Sequence, residues 1–65
     1  MNGTVKWFDK GRGYGFLETP DGDLFVHASA VQFGLQLEAG DSVSFDVAPD
    51  QKSGRNKAIN VKAAL

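Results

Sequence analysis

The sequence predicts an all-β domain in which five short strands close, or nearly close, into a barrel. Apolar and polar residues alternate with a period of two in several short runs, and glycine, proline or aspartate separates these runs. No stretch shows a convincing helical period. In a chain of 65 residues, closure would remove the exposed strand edges through which small sheets aggregate.

The predicted strands follow one another with turn residues between them. They cover Asn2–Phe8, Tyr14–Thr19, Asp23–His27, Ser42–Ala48 and Lys57–Ala64. The strongest turn signal, Pro20-Asp21-Gly22, joins the second and third strands as a hairpin, because proline pre-sets φ and Asp and Gly suit a tight corner. After the third strand, Ser29 is a good cap for one helical turn that reaches Gln32, and Leu37 is expected in the core.

Alternation predicts the core side of the last two strands. Val43, Phe45 and Val47 share one face of the fourth strand. Ile59 and Val61 share one face of the fifth. We expect both faces to be buried.

The geometry of the first strand depends on Trp7. Val5 is expected to point into the core, and strict alternation puts Trp7 on the same face. Trp7 joins the outer surface only if the strand bends or bulges beside it. In the following turn, Gly11 and Gly13 permit positive φ and close backbone approach. The glycines of this region are expected to let the strand twist and to leave neighbouring aromatic rings uncovered.

The second and third strands are apolar on both faces. The aromatic side is formed by Tyr14, Phe16, Phe25 and His27. The aliphatic side is formed by Leu17, Leu24 and Val26. So short a chain cannot cover both sides, and the aliphatic side is the natural core. The aromatic side therefore stays exposed, and an exposed aromatic patch usually marks a binding site.

Charge is distributed unevenly along the chain. The formal net charge of −1 argues against a nucleic-acid partner when taken globally. However, Lys6, Lys10 and Arg12 cluster at the aromatic stretch, and Arg55 and Lys57 lie together near the end. Such a basic stripe on an acidic body can hold a phosphate backbone. The alternative is that these cations only solvate the surface, and charge alone does not separate the two interpretations.

The composition excludes several classes of protein. Without cysteine the chain has no disulfide, thiolate ligand or cysteine nucleophile, which fits a reducing compartment. No run is long and apolar enough to span a membrane, and the N-terminus lacks a signal peptide's apolar stretch. We therefore expect a complete cytoplasmic protein with a single domain over residues 1–65.

Two features resemble a cofactor or catalytic site, and both are better explained otherwise. Gly11–Gly15 lacks the spacing of a dinucleotide fingerprint and is not followed by a helix, so no cofactor is expected. His27 has neither neighbouring metal ligands nor a recognisable catalytic partner, so no metal, small-molecule substrate or enzymatic activity is expected. Its position beside Phe25 favours stacking on a base over a barrel-edge histidine with no special role.

One stretch carries the most specific signal. Arg12-Gly13-Tyr14-Gly15-Phe16-Leu17 fits an RNA-binding signature in which a basic residue and glycine precede aromatic-glycine-aromatic-aliphatic. With the early strand Gly3–Phe8 and the later motif Leu24-Phe25-Val26-His27, followed by Ser29-Ala30-Val31, the chain resembles the bacterial cold-shock proteins over about residues 3–61. Larger αβ RNA-binding domains share the motif of a basic residue, glycine and an aromatic residue. They need two helices and have the motifs in reverse order, so they do not fit this chain.

The resemblance implies a five-stranded antiparallel OB-type barrel that binds single-stranded RNA and single-stranded DNA with low sequence preference. It also implies an RNA chaperone that keeps transcripts unstructured, often under stress or in the cold. The positions that match the family's nucleic-acid face are Lys6, Trp7, Arg12, Tyr14, Phe16, Phe25 and His27. Further candidate binding residues are Asp9, Lys10, Phe33, Arg55 and Lys57.

Three departures from the family pattern bear on binding. Asp9 stands where asparagine is common, and its charge repels phosphate, although it can accept a hydrogen bond from a base. Ala28 stands where another aromatic is usual. Alternation points Ala28 into the core, but the resemblance places it on the surface, which we favour because Ser29 can cap a turn there. The loop Gln32–Gln36 is short, so Phe33 either caps the barrel or reaches a base.

Two other functions remain open at this point. The sequence does not separate an RNA chaperone from a single-stranded DNA binder acting at replication. A protein-interaction barrel that receives a peptide on its aromatic patch is a third possibility, but the flanking cations count against it. Peptide docking on aromatic rings would depend only weakly on salt. For the nucleic-acid functions we expect a monomer.

Overall fold

Five strands close into a barrel in the computed structural model, which describes residues 1–64. The strands are β1 (Asn2–Asp9), β2 (Tyr14–Thr19), β3 (Gly22–His27), β4 (Ser42–Pro49) and β5 (Asn56–Ala63). A short 3₁₀ helix, Ala28–Ala30, follows β3 and replaces the single helical turn predicted for residues 29–32. Around the barrel the order is β1-β2-β3-β5-β4, with β4 returning to pair with β1. The prediction of an all-β five-stranded barrel is confirmed.

The expectation of a purely antiparallel barrel is wrong at one junction. β3 and β5 run parallel, with Phe25 opposite Lys57 and Val26 opposite Ala58. The reason is the odd number of strands, since direction cannot alternate all the way around a closed ring of five. The remaining four pairs are antiparallel, and one parallel pair has to close the ring.

The core lies inside the barrel and consists of aliphatic side chains and one phenylalanine. Its members, each at most 2 % exposed, are Val5, Leu17, Val26, Leu37, Val43, Phe45, Ala58 and Val61. The predicted inward positions of Leu17, Val26 and Leu37 are therefore confirmed. Phe8, Leu24, Val31 and Leu35 pack against this core from its margins.

The predicted common face of Ile59 and Val61 is wrong because β5 bulges. Ser44 pairs with Lys62 but Asp46 pairs with Ile59, so β5 holds one extra residue. Asn60 has a φ of 53°, a left-handed conformation that asparagine tolerates better than most residues. Its side-chain amide donates a hydrogen bond to Asp46 Oδ2 at 3.1 Å. As a result Ala58 and Val61, three positions apart, both point inward, and Ile59 is only half-buried.

The prediction for β4 holds for two of its three residues. Val43 and Phe45 are buried, but Val47 is 39 % exposed. The Phe45 amide donates to the Met1 carbonyl at 2.8 Å, so the chain that leads into β1 hydrogen-bonds to β4 only as far as Phe45. Val47 lies beyond that point, at the open end of the barrel.

Candidate nucleic-acid interface

Four aromatic rings and one histidine cover the outer surface of β1, β2 and β3. We call this surface the aromatic face, and its members are Trp7, Tyr14, Phe16, Phe25 and His27. The ring centroids of Trp7 lie 5.6 Å from Tyr14 and 5.4 Å from Phe16. Phe25 lies 5.8 Å from both Tyr14 and Phe16. The four rings therefore form one continuous patch at ordinary aromatic contact distances.

A bulge in β1 puts Trp7 on this face. Val5 pairs with Leu17, but Trp7 pairs with Phe16, so Lys6 is an extra residue in β1. The bulge reverses the alternation after Val5, and the Trp7 side chain is 39 % exposed. The bulge that an outward Trp7 requires is therefore present.

Gly15 makes the close approach of β1 and β2 possible. It is buried, and a Cβ built on it would collide with the Trp7 carbonyl oxygen and lie 2.7 Å from Phe8 Cα. The expectation that this glycine leaves the aromatic rings uncovered is wrong, because it faces the interior. Gly13 does adopt the expected positive φ, at 79°, whereas Gly11 does not.

His27 is held by the 3₁₀ helix that it caps. The Ser29 amide donates to His27 Nδ1 at 3.1 Å, and Ser29 Oγ lies 2.9 Å from the same nitrogen. Because Nδ1 accepts the amide hydrogen, the neutral ring carries its proton on Nε2. The exposed ring therefore offers a donor at its outer edge. The expectation that Ser29 caps this turn is wrong, because His27 is the N-cap and Ser29 lies within the helix as the donor to its ring.

Each of the three cations that lie in β1 or in the turn after it has an acidic partner. The ion pairs are Lys6–Asp23 at 2.7 Å, Lys10–Glu38 at 3.9 Å and Arg12–Asp9 at 3.7 Å. All of these side chains are substantially exposed, so the pairs contribute little to stability. Sequence reasoning missed the pairs of Asp23 and Glu38, since these acids lie far from their partners along the chain. It also missed Arg12–Asp9, although the two residues are only three positions apart.

The hydrogen bond and charge of Asp23 raise the pKa of Lys6 above its ordinary value. A raised lysine pKa adds stability that is fully present below the unfolded-state pKa and is lost as pH rises through the folded-state value. For Lys6 this window lies in the alkaline range. Lys6 therefore remains positively charged at neutral pH.

Asp9 holds the turn between β1 and β2. Its Oδ1 accepts the amide hydrogens of Gly11 at 3.0 Å and Arg12 at 3.1 Å. This role explains why an acid is tolerated beside a basic cluster. It also means that one carboxylate oxygen of Asp9 is already engaged within the turn.

The remaining predicted residues lie at different distances from the aromatic face. Phe33 is fully exposed on the loop after the 3₁₀ helix, so it does not cap the barrel. Lys57 is the parallel partner of Phe25 and so adjoins the face. Arg55 lies in the β4–β5 loop, and no hydrogen bond or ion pair within residues 1–64 joins its guanidinium to the face.

Ala28 lies on the surface, as we favoured. Its amide donates to the Gly13 carbonyl at 2.8 Å, which ends the pairing of β3 with β2, and its side chain is exposed. Beside it is a largely apolar recess of about 300 Å³ that Phe8 and Phe33 also line. An aromatic side chain at position 28 would occupy space next to this recess.

Within residues 1–64 no three potential metal-ligating side chains come together. Over that range, too, no helix has the length and apolar character needed to cross a bilayer.

Comparison with known proteins gives a consistent result. The family model described as the 'Cold-shock' DNA-binding domain matches residues 1–64. The chain is 48% identical to "Cold shock protein CspA" of Rhizobium meliloti, over 97% of each chain. It is 56% identical to "Cold shock protein 1" of Lactiplantibacillus plantarum, over 92% of each chain.

The fold agrees with this relationship. A solved structure of Drosophila Unr superimposes with a TM-score of 0.75 and 28% sequence identity. The match covers 98% of this chain but 26% of that one. The same barrel therefore also occurs as part of a much longer protein.

Proposed function

Because the chain belongs to the cold-shock domain family, whose members bind nucleic acids and are not enzymes, we propose that it binds single-stranded RNA and single-stranded DNA through the aromatic face. The observation that supports this proposal best is the continuous patch of four rings on the outside of a barrel whose inner face is fully used as core. Bases are flat and apolar on their faces, and the patch offers them several stacking partners.

Stacking favours single strands over duplexes. In a duplex the faces of the bases already stack on one another, so they are not available to protein rings. In a single strand each base has a free face, and stacking on an aromatic side chain contributes about 1–3 kcal/mol per base. Every base has such a face, which explains why low sequence preference is expected.

The flanking cations add attraction to the phosphates. Lys6, Lys10 and Arg12 are exposed and paired with carboxylates that solvent also reaches. Exposed ion pairs are weak, so a phosphate oxygen can replace the carboxylate at little cost. The protein would therefore gain only a modest electrostatic contribution from this side.

Such binding produces an RNA chaperone by mass action. A protein that binds the unpaired form of a transcript but not its duplex shifts the equilibrium toward the unpaired form. We propose that this protein acts in that way, as a monomer in the cytoplasm. The family description also names DNA, and a single-stranded DNA role at replication is the second candidate. Matched RNA and DNA oligomers distinguish the two, because only RNA offers a 2′-hydroxyl.

Fluorescence of Trp7, the only tryptophan, tests the proposal. Single-stranded oligomers should quench Trp7 because a base stacks on or beside its ring. A duplex of the same length and composition should bind far more weakly. Equal affinity for the two would exclude stacking as the mechanism.

A further inference from the structure

A second recess adjoins the aromatic face between the 3₁₀ helix and β5. It has a volume of about 540 Å³ and is lined by His27 and Ser29 on one side and by Lys57, Ile59 and Lys62 on the other. We call it the β5 recess. Its volume lies in the range of about 300–1,000 Å³ that is usual for small-ligand sites.

The β5 recess continues the surface on which bases would stack. His27 belongs to both, and the parallel pairing of Phe25 with Lys57 places β5 directly beside the last strand of the aromatic face. A strand of nucleic acid that crosses from Trp7 to His27 therefore arrives at the recess without leaving the protein surface.

The bulge at Asn60 gives the recess its charge. Lys57 and Lys62 are five positions apart, so in a regular strand they would face opposite sides. The extra residue in β5 restores them to the same outer side, and both line the recess. The left-handed Asn60 is thus associated with a β5 that has both lysines on its outer side.

These two lysines differ from Lys6, Lys10 and Arg12, which all have acidic partners. No Asp or Glu lines the recess. Within the described part of the chain, residues 1–64, neither Lys57 nor Lys62 forms an ion pair. The nearby acid of β4, Asp46, accepts a hydrogen bond from Asn60 and does not line the recess.

We propose that the β5 recess binds the phosphodiester backbone of a single strand where it leaves the aromatic face, with Lys57 and Lys62 each contacting phosphate oxygens. This inference rests on the proposed function. Continuity with the stacking surface and the uncompensated positive charge both select an anionic polymer over an apolar ligand. Ser29, Gln32 and Asn60 add polar groups for the sugar or the base edges.

The test compares Lys62→Gln with Lys52→Gln. Both substitutions remove one exposed lysine charge, but Lys52 lies in the β4–β5 loop outside the recess. Affinity for oligouridylates of roughly four to eight nucleotides, lengths within the site size of about 4–16 for an OB fold, is followed by Trp7 quenching over a range of salt concentrations. Thermal melts establish that both variants remain folded.

Oligomer length separates the two surfaces. For the longest oligomers, Lys62→Gln should reduce the slope of log K against log salt by about 0.7, the value for one lost phosphate contact on a single strand. For the shortest, which cover only the aromatic face, wild type and Lys62→Gln should coincide. Lys52→Gln should leave the slope unchanged at every length.

The outcomes distinguish failure of the recess from failure of the proposed function. If Lys52→Gln and Lys62→Gln have equal effects, the contribution is general charge and the recess proposal is wrong. The same conclusion follows if Lys62→Gln has no effect at any length while Trp7 is still quenched. If no single strand quenches Trp7 or binds at all, the proposed function itself fails.

Discussion

The aromatic face and the β5 recess meet at His27 but differ in how their charges are compensated. Beside the aromatic face, Lys6, Lys10 and Arg12, the cations of β1 and the turn after it, are each paired with a carboxylate. In the β5 recess, two lysines line the surface and no acid does. The first region is rich in rings and nearly neutral, and the second is poor in rings and positive.

This difference indicates how a chain with net charge −1 can bind an anionic polymer. Under the proposed function the aromatic face needs little charge, because stacking would supply the favourable free energy there. The recess supplies positive charge locally, where the backbone would pass. Predictions can therefore address the two contributions separately.

The largest expected effect tests whether the rings are surface rather than core. Leu17→Ala removes a fully buried side chain and should lower the free energy of unfolding by about 2–5 kcal/mol. Phe16→Ala, its neighbour on the outer side, should destabilise less than this and weaken single-strand binding by about 1–3 kcal/mol. Denaturant unfolding and Trp7 titration measure both. If Phe16→Ala unfolds the protein while Leu17→Ala does not, the two faces of β2 are assigned backwards.

A somewhat smaller loss of stability is expected from a substitution that adds a side chain where β1 and β2 approach closely. Gly15→Ala places a methyl group against the β1 backbone and should cost about 1–3 kcal/mol of stability. It should also displace Trp7 and so weaken binding. Gly11→Ala is the matched control, because its Cβ would meet only Asp9 Oδ1, at 3.4 Å. Equal thermal stability of the two variants would show that the close approach at Gly15 is not required.

A substitution that adds a ring to the aromatic face would increase the difference in stacking capacity between this face and the β5 recess. Ala28→Phe adds a ring at an exposed position beside Phe33 and should tighten single-strand binding by up to about 1–3 kcal/mol, with little change in stability. Thermal melts and oligomer titrations measure the two quantities. A destabilised variant with unchanged affinity would mean that the substitution overpacks the barrel instead.

The smallest expected effect is on the salt dependence of binding, and it comes from removing one of the ion pairs beside the aromatic face. Asp23→Asn releases Lys6 from its ion pair, so Lys6 becomes a free cation like those of the recess. The slope of log K against log salt should become steeper by up to about 0.7. Asp21→Asn removes the same charge two positions away, from a residue that forms no ion pair within residues 1–64. Parallel salt plots for the two variants would show that the Lys6–Asp23 pair does not limit phosphate contact.

The sequence predicted the faces of a strand correctly where apolar side chains alternate without a bulge. β2 and β3 contain no bulge, and their paired residues Tyr14–His27 and Phe16–Phe25 lie on the predicted side. Their inner side, with Leu17 and Val26, is buried as expected. A period of two therefore predicts both faces of a regular hairpin.

Where a β-bulge interrupts the alternation of side chains, the sequence did not predict which side of the strand each residue occupies. In β1 strict alternation put Trp7 on the core side, and the sequence could not show the bulge that reverses this, since the bulge depends on pairing with β2. In β5 the left-handed conformation of Asn60 cannot be recognised from hydrophobic periodicity, so the sequence did not place Lys62 on the same side as Lys57. Ion pairs such as Lys10–Glu38 depend on loop placement, which the residue pattern does not specify.

The central claim is that stacking on the aromatic face supplies affinity independently of charge. The direct measurement is the salt dependence of single-strand binding by Phe25→Ala and by wild type, extrapolated to about 1 M salt, where most electrostatic attraction is screened. The predicted result is two parallel lines separated by about 1–3 kcal/mol, because one ring is lost and no phosphate contact changes. Lines that converge at high salt would contradict the claim, since the loss would then be electrostatic.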